Sequence, residues 1–127
     1  MQRKFVMAFH VAGTLTADLN IRFTVPSDCS LVHVSAVCSD ANGFGFNIGS
    51  SADVDGYLTK QTSGVSDTPI EFAKASFDGA LLTDAGKEHP HIADGTIVVI
   101  AVDFDYNGGG SAAASDNPTI VLTFVEG

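Results

Sequence analysis

The sequence contains no tryptophan, two tyrosines and two cysteines, and only six Lys or Arg residues against fifteen Asp or Glu. Each scarcity excludes something. The formal charge of −9 argues against a nucleic-acid backbone or an anionic lipid surface as partner, since both require a basic surface. The two cysteines do not form a disulfide framework. Cys29 and Cys38 bound one strand-like run, CSLVHVSAVC, and nine residues of extended chain hold their Cα atoms about 30 Å apart, far beyond disulfide reach. Both are therefore expected as free thiols, which fits assembly in a reducing cytoplasm. No run of apolar residues reaches the length of a membrane-spanning helix. The opening MQRKFVMAFHVAG has the basic start of a signal peptide, but His10 interrupts its short apolar run and no A-x-A site follows closely. Phe5, Met7 and Phe9 alternate with Lys4, Ala8 and His10 instead, which is strand periodicity.

Catalytic signatures are also missing. GSSAD lacks the second glycine of a nucleophile elbow, and no pair of carboxylates is placed for glycoside cleavage. NGGGS is followed by neither lysine nor helix, so it is no phosphate loop. DVDG (Asp53, Asp55, Gly56) opens like a calcium loop but lacks the later oxygen ligands and distal glutamate; it reads as a turn with solvated carboxylates. Asp103, Asp105 and Asp116 read as a solvated strand end rather than a cation site. His89 and His91 share a face of an extended segment, yet no spacing rule selects His10, His33 or Glu88 as a third metal ligand. His33, flanked by Val32 and Val34, is expected partly buried or in an interface. No catalytic residue, metal site or cofactor is predicted.

What is present is strand after strand. Apolar residues make up 45% of the chain and charged ones 17%, so a packed core is affordable within 127 residues. Leu19, Ile21, Phe23 and Val25 alternate with Asn20, Arg22 and Thr24. In the Cys29–Cys38 run, Val32, Val34 and Ala36 are assigned to one face. Phe44, Phe46 and Ile48 share a face of FGFNIG, with Gly43, Gly45 and Gly49 opposite, a pattern expected where another backbone or a ligand approaches closely. DGYLT is read as a short strand. SDTPIEFAKASF fits either a helical turn, through the capping-box pattern Thr68-Pro69-Ile70-Glu71, or a strand alternating Ile70 and Phe72; the strand is preferred. LLTDAGKEHPHIADG is a loop with a brief strand at His91-Ile92. From Thr96 to Tyr106, Val98, Ile100, Val102, Phe104 and Tyr106 line one face, with Ile97, Val99 and Ala101 on the other. In the last strand Ile120, Leu122 and Phe124 face one way, Val121 and Val125 the other. These two strands, apolar on both faces, are expected to pair as antiparallel central strands across the NGGGSAAASDNP tip. The pattern predicts a single all-β domain over residues 1–127: a two-sheet antiparallel sandwich, jelly-roll-like, of about eight strands.

The stretches KFVMAFHVAGTLTA, SDTPIEFAKASFDGA and HPHIADGTIVVIAVDFDYNGGGSAAASDNPTIVLTFVEG together resemble small virion proteins of tailed bacteriophages, of the head decoration or cement type. The resemblance covers most of the chain and rests on strand patterns rather than chemical motifs. It implies a β-sandwich made in the host cytoplasm that binds the outside of a capsid, with the major capsid protein and its own copies, as a homotrimer, for partners. On that reading Val121 and Val125 become oligomer contacts, and Arg3 and Lys4, an adjacent basic pair on an acidic body, become contacts with the shell. Two rivals remain. Jelly rolls often bind sugars or receptors, though the lack of tryptophan and the two tyrosines, Tyr57 and Tyr106, weigh against that. A cupin-like enzyme has only His89 and His91 in its support.

Overall fold

The computed structural model describes residues 3–73, 77, 89–104 and 115–127. Nine strands form two antiparallel sheets with no helix among the described residues: β1 (Lys4–His10), β2 (Leu19–Thr24), β3 (Cys29–Val37), β4 (Gly45–Ser50), β5 (Leu58–Thr62), β6 (Ile70–Phe72), β7 (His91–Ile92), β8 (Ile97–Asp103) and β9 (Thr119–Glu126). One sheet has the order β1-β9-β3-β6, with β7 also on β3; the other has the order β2-β8-β4-β5. Chain neighbours mostly lie in opposite sheets, β4 and β5 being a hairpin within one. This is the strand order of a jelly roll, with β7 as a small addition.

Alternation in the sequence becomes inside and outside. Leu31, Val34 and Ala36 of β3, Phe46 and Ile48 of β4, Ile100 of β8, and Leu122 and Phe124 of β9 are all fully buried between the sheets. Phenylalanines tie the two layers together. Phe124 stacks on Phe5 with ring centres 4.9 Å apart and meets Phe23 of the opposite sheet edge-on at 6.1 Å; Phe46 and Phe72 repeat the crossing at 6.4 Å. Such aromatic pairs contribute about 0.5–1.5 kcal/mol each beyond the area they bury.

Two expectations are corrected. β8 and β9 do not pair: β8 lies between β2 and β4, and β9 lies between β1 and β3 in the other sheet. Both are central and apolar on two faces, but the chain crosses from layer to layer between them. The described strand ends at Asp103, and Tyr106, Asp105 and most of the glycine-rich tip lie outside the described residues. The second correction concerns β3. A bulge between Leu31 and His33 puts Leu31, not Val32, on the buried face with Val34 and Ala36, leaving Val32 and His33 half-buried. One extra residue against the partner strand reverses the alternation at that point.

The ambiguous middle resolves as strand. Ile70–Phe72 pairs with β3, and only Phe72 is buried, Ile70 being 38% exposed. The bare face of β4 has its explanation in the turn that follows. A Cβ on Gly49 would meet the Asp53 carbonyl oxygen at 2.1 Å and the Val54 carbonyl carbon at 2.4 Å, both backbone atoms. Gly64 is packed the same way against Thr68 and Ile70, a close approach the sequence pattern does not reveal.

Cys29 and Cys38 are free and buried at the two ends of the β3 run. Burial pushes both thiols above the ordinary range, helped at Cys29 by the negative charges of Asp28 and Glu126. Thiols that ionise more readily unfolded than folded make stability fall as pH rises past the ordinary thiol value. Alkaline titration of unfolding should therefore show a loss of stability that a Cys29→Ala, Cys38→Ala variant lacks. Thiol-reactive dye should label the native protein only as fast as it unfolds; rapid labelling at neutral pH would contradict the burial. Gly49→Ala should cost about 3 kcal/mol, because backbone must move to admit the methyl group. Urea denaturation checks this, and a loss of a few tenths would contradict the packing of the 50–55 turn.

Candidate functional site: the outer face of the five-stranded sheet

Three of the four sequence-selected contact residues, Lys4, Val121 and Val125, lie on one sheet face. β9 is held on both sides, so its outward side chains lie in the middle of a sheet face, not at its edge. Reading across β1, β9 and β3, the rows are Lys4, Val125, Ser30; Val6, Thr123, His33; Ala8, Val121, Ser35; and His10, Thr119, Val37. Arg3, one residue before Lys4, belongs to the row of Glu126 and Cys29, which alternates to the other side; its carbonyl accepts the Glu126 N–H at 2.8 Å. Lys4 and Val125 thus meet at one end, and Val121 lies two rows further on. Val121 and Val125 are half-buried, while Val6 beside them is 57% exposed.

Short side chains dominate this face because alternate positions of β9 and β3 are Thr, Val and Ser. Few long rotamers need freezing when such a surface is covered, which lowers the entropy cost of contact. It is also poor in negative charge. In a chain of net −9, the only carboxylate in these rows and on β6 beside them is Glu71, opposite Ser35 at the sheet's edge. There Glu71 lies 3.4 Å from His33 Nε2, whose side chain is one-third exposed, in keeping with the half-buried histidine expected from sequence. His10 Nδ1 lies 2.7 Å from Thr119 Oγ1 at the far row. Val6, Thr123 and Ala8 were not singled out by sequence reasoning; knowing that β1 pairs with β9 is what adds them.

The opposite sheet differs. On its outer side Lys60 Nζ contacts Asp103 Oδ2 at 2.6 Å, beside Asn20, Asn47 and Asp18 around a polar hollow. Asp116 is occupied elsewhere, accepting from Thr14 Oγ1 at 2.6 Å, and Asp105 and Glu88 lie outside the described residues. In the DVDG turn, hydrogen bonding with Asp55 raises the carboxyl of the exposed Asp53 above its usual range. His89 packs edge-on against Phe77 with ring centres 5.8 Å apart, and its Nδ1 is buried without a partner among the described residues. His91 is exposed on β7. Among the described residues, no three His, Cys, Asp or Glu side chains gather as metal ligands.

No protein-family model and no curated protein matches this sequence. Solved structures do. A chain of the cyanophage Pam1 capsid asymmetric unit aligns over 99% of this chain and 85% of its own length, with 17% identity and a TM-score of 0.56. A chain of the acid-stable capsid of Helicobacter pylori bacteriophage KHP30 aligns over 98% and 92%, with 14% identity and a TM-score of 0.37. The chain shares its jelly-roll fold with the Pam1 capsid chain.

Proposed function

We propose that this chain is a non-enzymatic structural protein of a phage virion: a single-domain decoration, or cement, protein that binds and stabilises the head exterior as a homotrimer. Its partner in the shell is the major capsid protein, and its place is the capsid surface after synthesis in the host cytoplasm. The observation that carries this is the outer face of the five-stranded sheet, rich in Val, Thr and Ser and nearly free of carboxylates on an otherwise acidic body. The likeness in fold to a phage capsid chain supports the setting. Val121 and Val125 form the centre of the contact, and Arg3 and Lys4 its basic rim.

Apolar burial over many copies supplies the affinity in this reading. An exposed rim charge contributes only about 0–1 kcal/mol and acts mainly on orientation and association rate. Undecorated shells mixed with the protein should co-pellet it and resist heating better. Val121→Asp should abolish co-pelleting while leaving the free protein folded, because a carboxylate enclosed in an apolar contact costs more than about 2 kcal/mol. Arg3→Glu with Lys4→Glu should weaken attachment, most strongly at low salt, where screening is least. Absence of both co-pelleting and thermal protection would overturn the decoration reading and leave carbohydrate or receptor binding to be tested on glycan arrays.

A further inference from the structure

The chain has four histidines, and strand pairing brings three of them to the outer face of the five-stranded sheet. His10 begins the last row, opposite Thr119, and His33 lies in the second, opposite Thr123. His91 of β7 pairs with Ser30, so it extends the first row beyond β3. The fourth, His89, packs against Phe77 and takes no part. Lys4 begins the first row. The outward valines of β9 are therefore flanked on both sides, by Lys4 and His10 from β1 and by His33 and His91 from the β3 side. His10 and His91 are exposed, and His33 is one-third exposed.

Imidazole is the side chain that changes charge between about pH 5 and 8. Carboxylates facing these three rings from neighbouring strands are few. Against His33, β9 presents Thr123 and β6 presents Glu71, 3.4 Å from Nε2. Against His10, β9 presents Thr119, whose Oγ1 lies 2.7 Å from Nδ1; Asp116, three residues before it, is engaged by Thr14 Oγ1 at 2.6 Å. Against His91, β3 presents Ser30. Asp28 and Asp94 stand beyond the end of that strand pair, the Asp28 carboxylate accepting the Asp94 N–H at 2.8 Å. Glu126 pairs with Cys29 and so alternates to the other side. Among the described residues the salt bridges are His33–Glu71 and Lys60–Asp103, which leaves His10 and His91 without a carboxylate partner. Protonation thus takes these rows from Lys4 against Glu71 to Lys4 and three imidazolium groups against Glu71.

We propose that this face docks on a carboxylate-bearing patch of the shell, and that the three histidines make the attachment tighten as pH falls. This deepens the decoration reading and rests on it. An imidazolium that gains a carboxylate neighbour on docking holds its proton more firmly in the complex than in the free protein. Attachment then takes up protons, so the added strength is present at mildly acid pH and is lost as pH rises through the range in which imidazole titrates. Enclosure of the rings in apolar surface would give the opposite sign, because desolvation favours the neutral form. The exposed positions of His10 and His91, and the permanent charge of Lys4 on the same face, point to the carboxylate partner.

Co-pelleting with undecorated shells at two pH values tests this. The wild-type protein should bind about tenfold more tightly at about pH 5.5 than at about pH 8 in low salt, and the difference should shrink in high salt. His10→Gln with His33→Gln and His91→Gln should lose that slope. His10→Lys with His91→Lys, both at exposed positions, should bind at the higher pH as tightly as the wild type does at the lower. Circular dichroism at both pH values checks that each variant is folded. Equal binding of the wild type at the two pH values, weaker binding at acid pH, or a slope that survives the triple substitution would overturn this inference and leave the decoration reading in place. No binding at either pH would overturn both.

Discussion

The position of β9 is the constraint on which the rest of this molecule depends. It pairs along its whole length with β1 on one side and β3 on the other, so the five-stranded sheet exists only when residues near 120 reach those near 5 and 35. Its inward side chains, Ile120, Leu122 and Phe124, are buried, and Phe124 touches Phe5 in its own sheet and Phe23 in the other. Without β9, β1 would have no neighbour and both layers would lose a shared aromatic contact. Most stabilising contacts are therefore distant in sequence, which makes loop closure the main cost of folding and favours slow, cooperative assembly.

The same strand creates the surface assigned to binding. Because its backbone groups are satisfied on both sides, Thr119, Val121, Thr123 and Val125 present side chains alone, without the exposed ladder of an edge strand. The sheet edges lie elsewhere, at β1 and β6 in one sheet and β2 and β5 in the other, with Arg3, Lys4 and Arg22 at or beside β1 and β2. Charges on an edge discourage indiscriminate strand pairing. The jelly-roll strand order thus sets a sheet face poor in carboxylates apart from the charged residues on the strands at its edges.

Much of this was legible beforehand. Phe44, Phe46 and Ile48 announced their burial by alternation, and the glycines opposite announced a close approach that Gly49 provides. The free thiols followed from the length of chain between them. Arg3, Lys4, Val121 and Val125 were chosen as separate contacts, and pairing Lys4 with Val125 and Ala8 with Val121 places all but Arg3 on one face. Nothing in the sequence marked the bulge at Val32 and His33, since an extra residue changes partners without changing composition. Nor did Ser66 and Asp67 announce left-handed conformations, because neither is the glycine such backbone usually employs.

By itself, then, the sequence determined where strands lie and which side of each is apolar, since a side chain's direction along a strand alternates with a period set by the chain's own geometry. It also determined that fourteen of fifteen carboxylates follow residue 25. Only the tertiary structure decided which strands are neighbours. β8 and β9, apolar on both faces and joined in sequence, read as a hairpin but occupy the centres of different sheets. Alternation is a local property that any partner of matching period satisfies, whereas the choice among partners depends on how both layers fill the space between them, and that is settled by the whole chain at once.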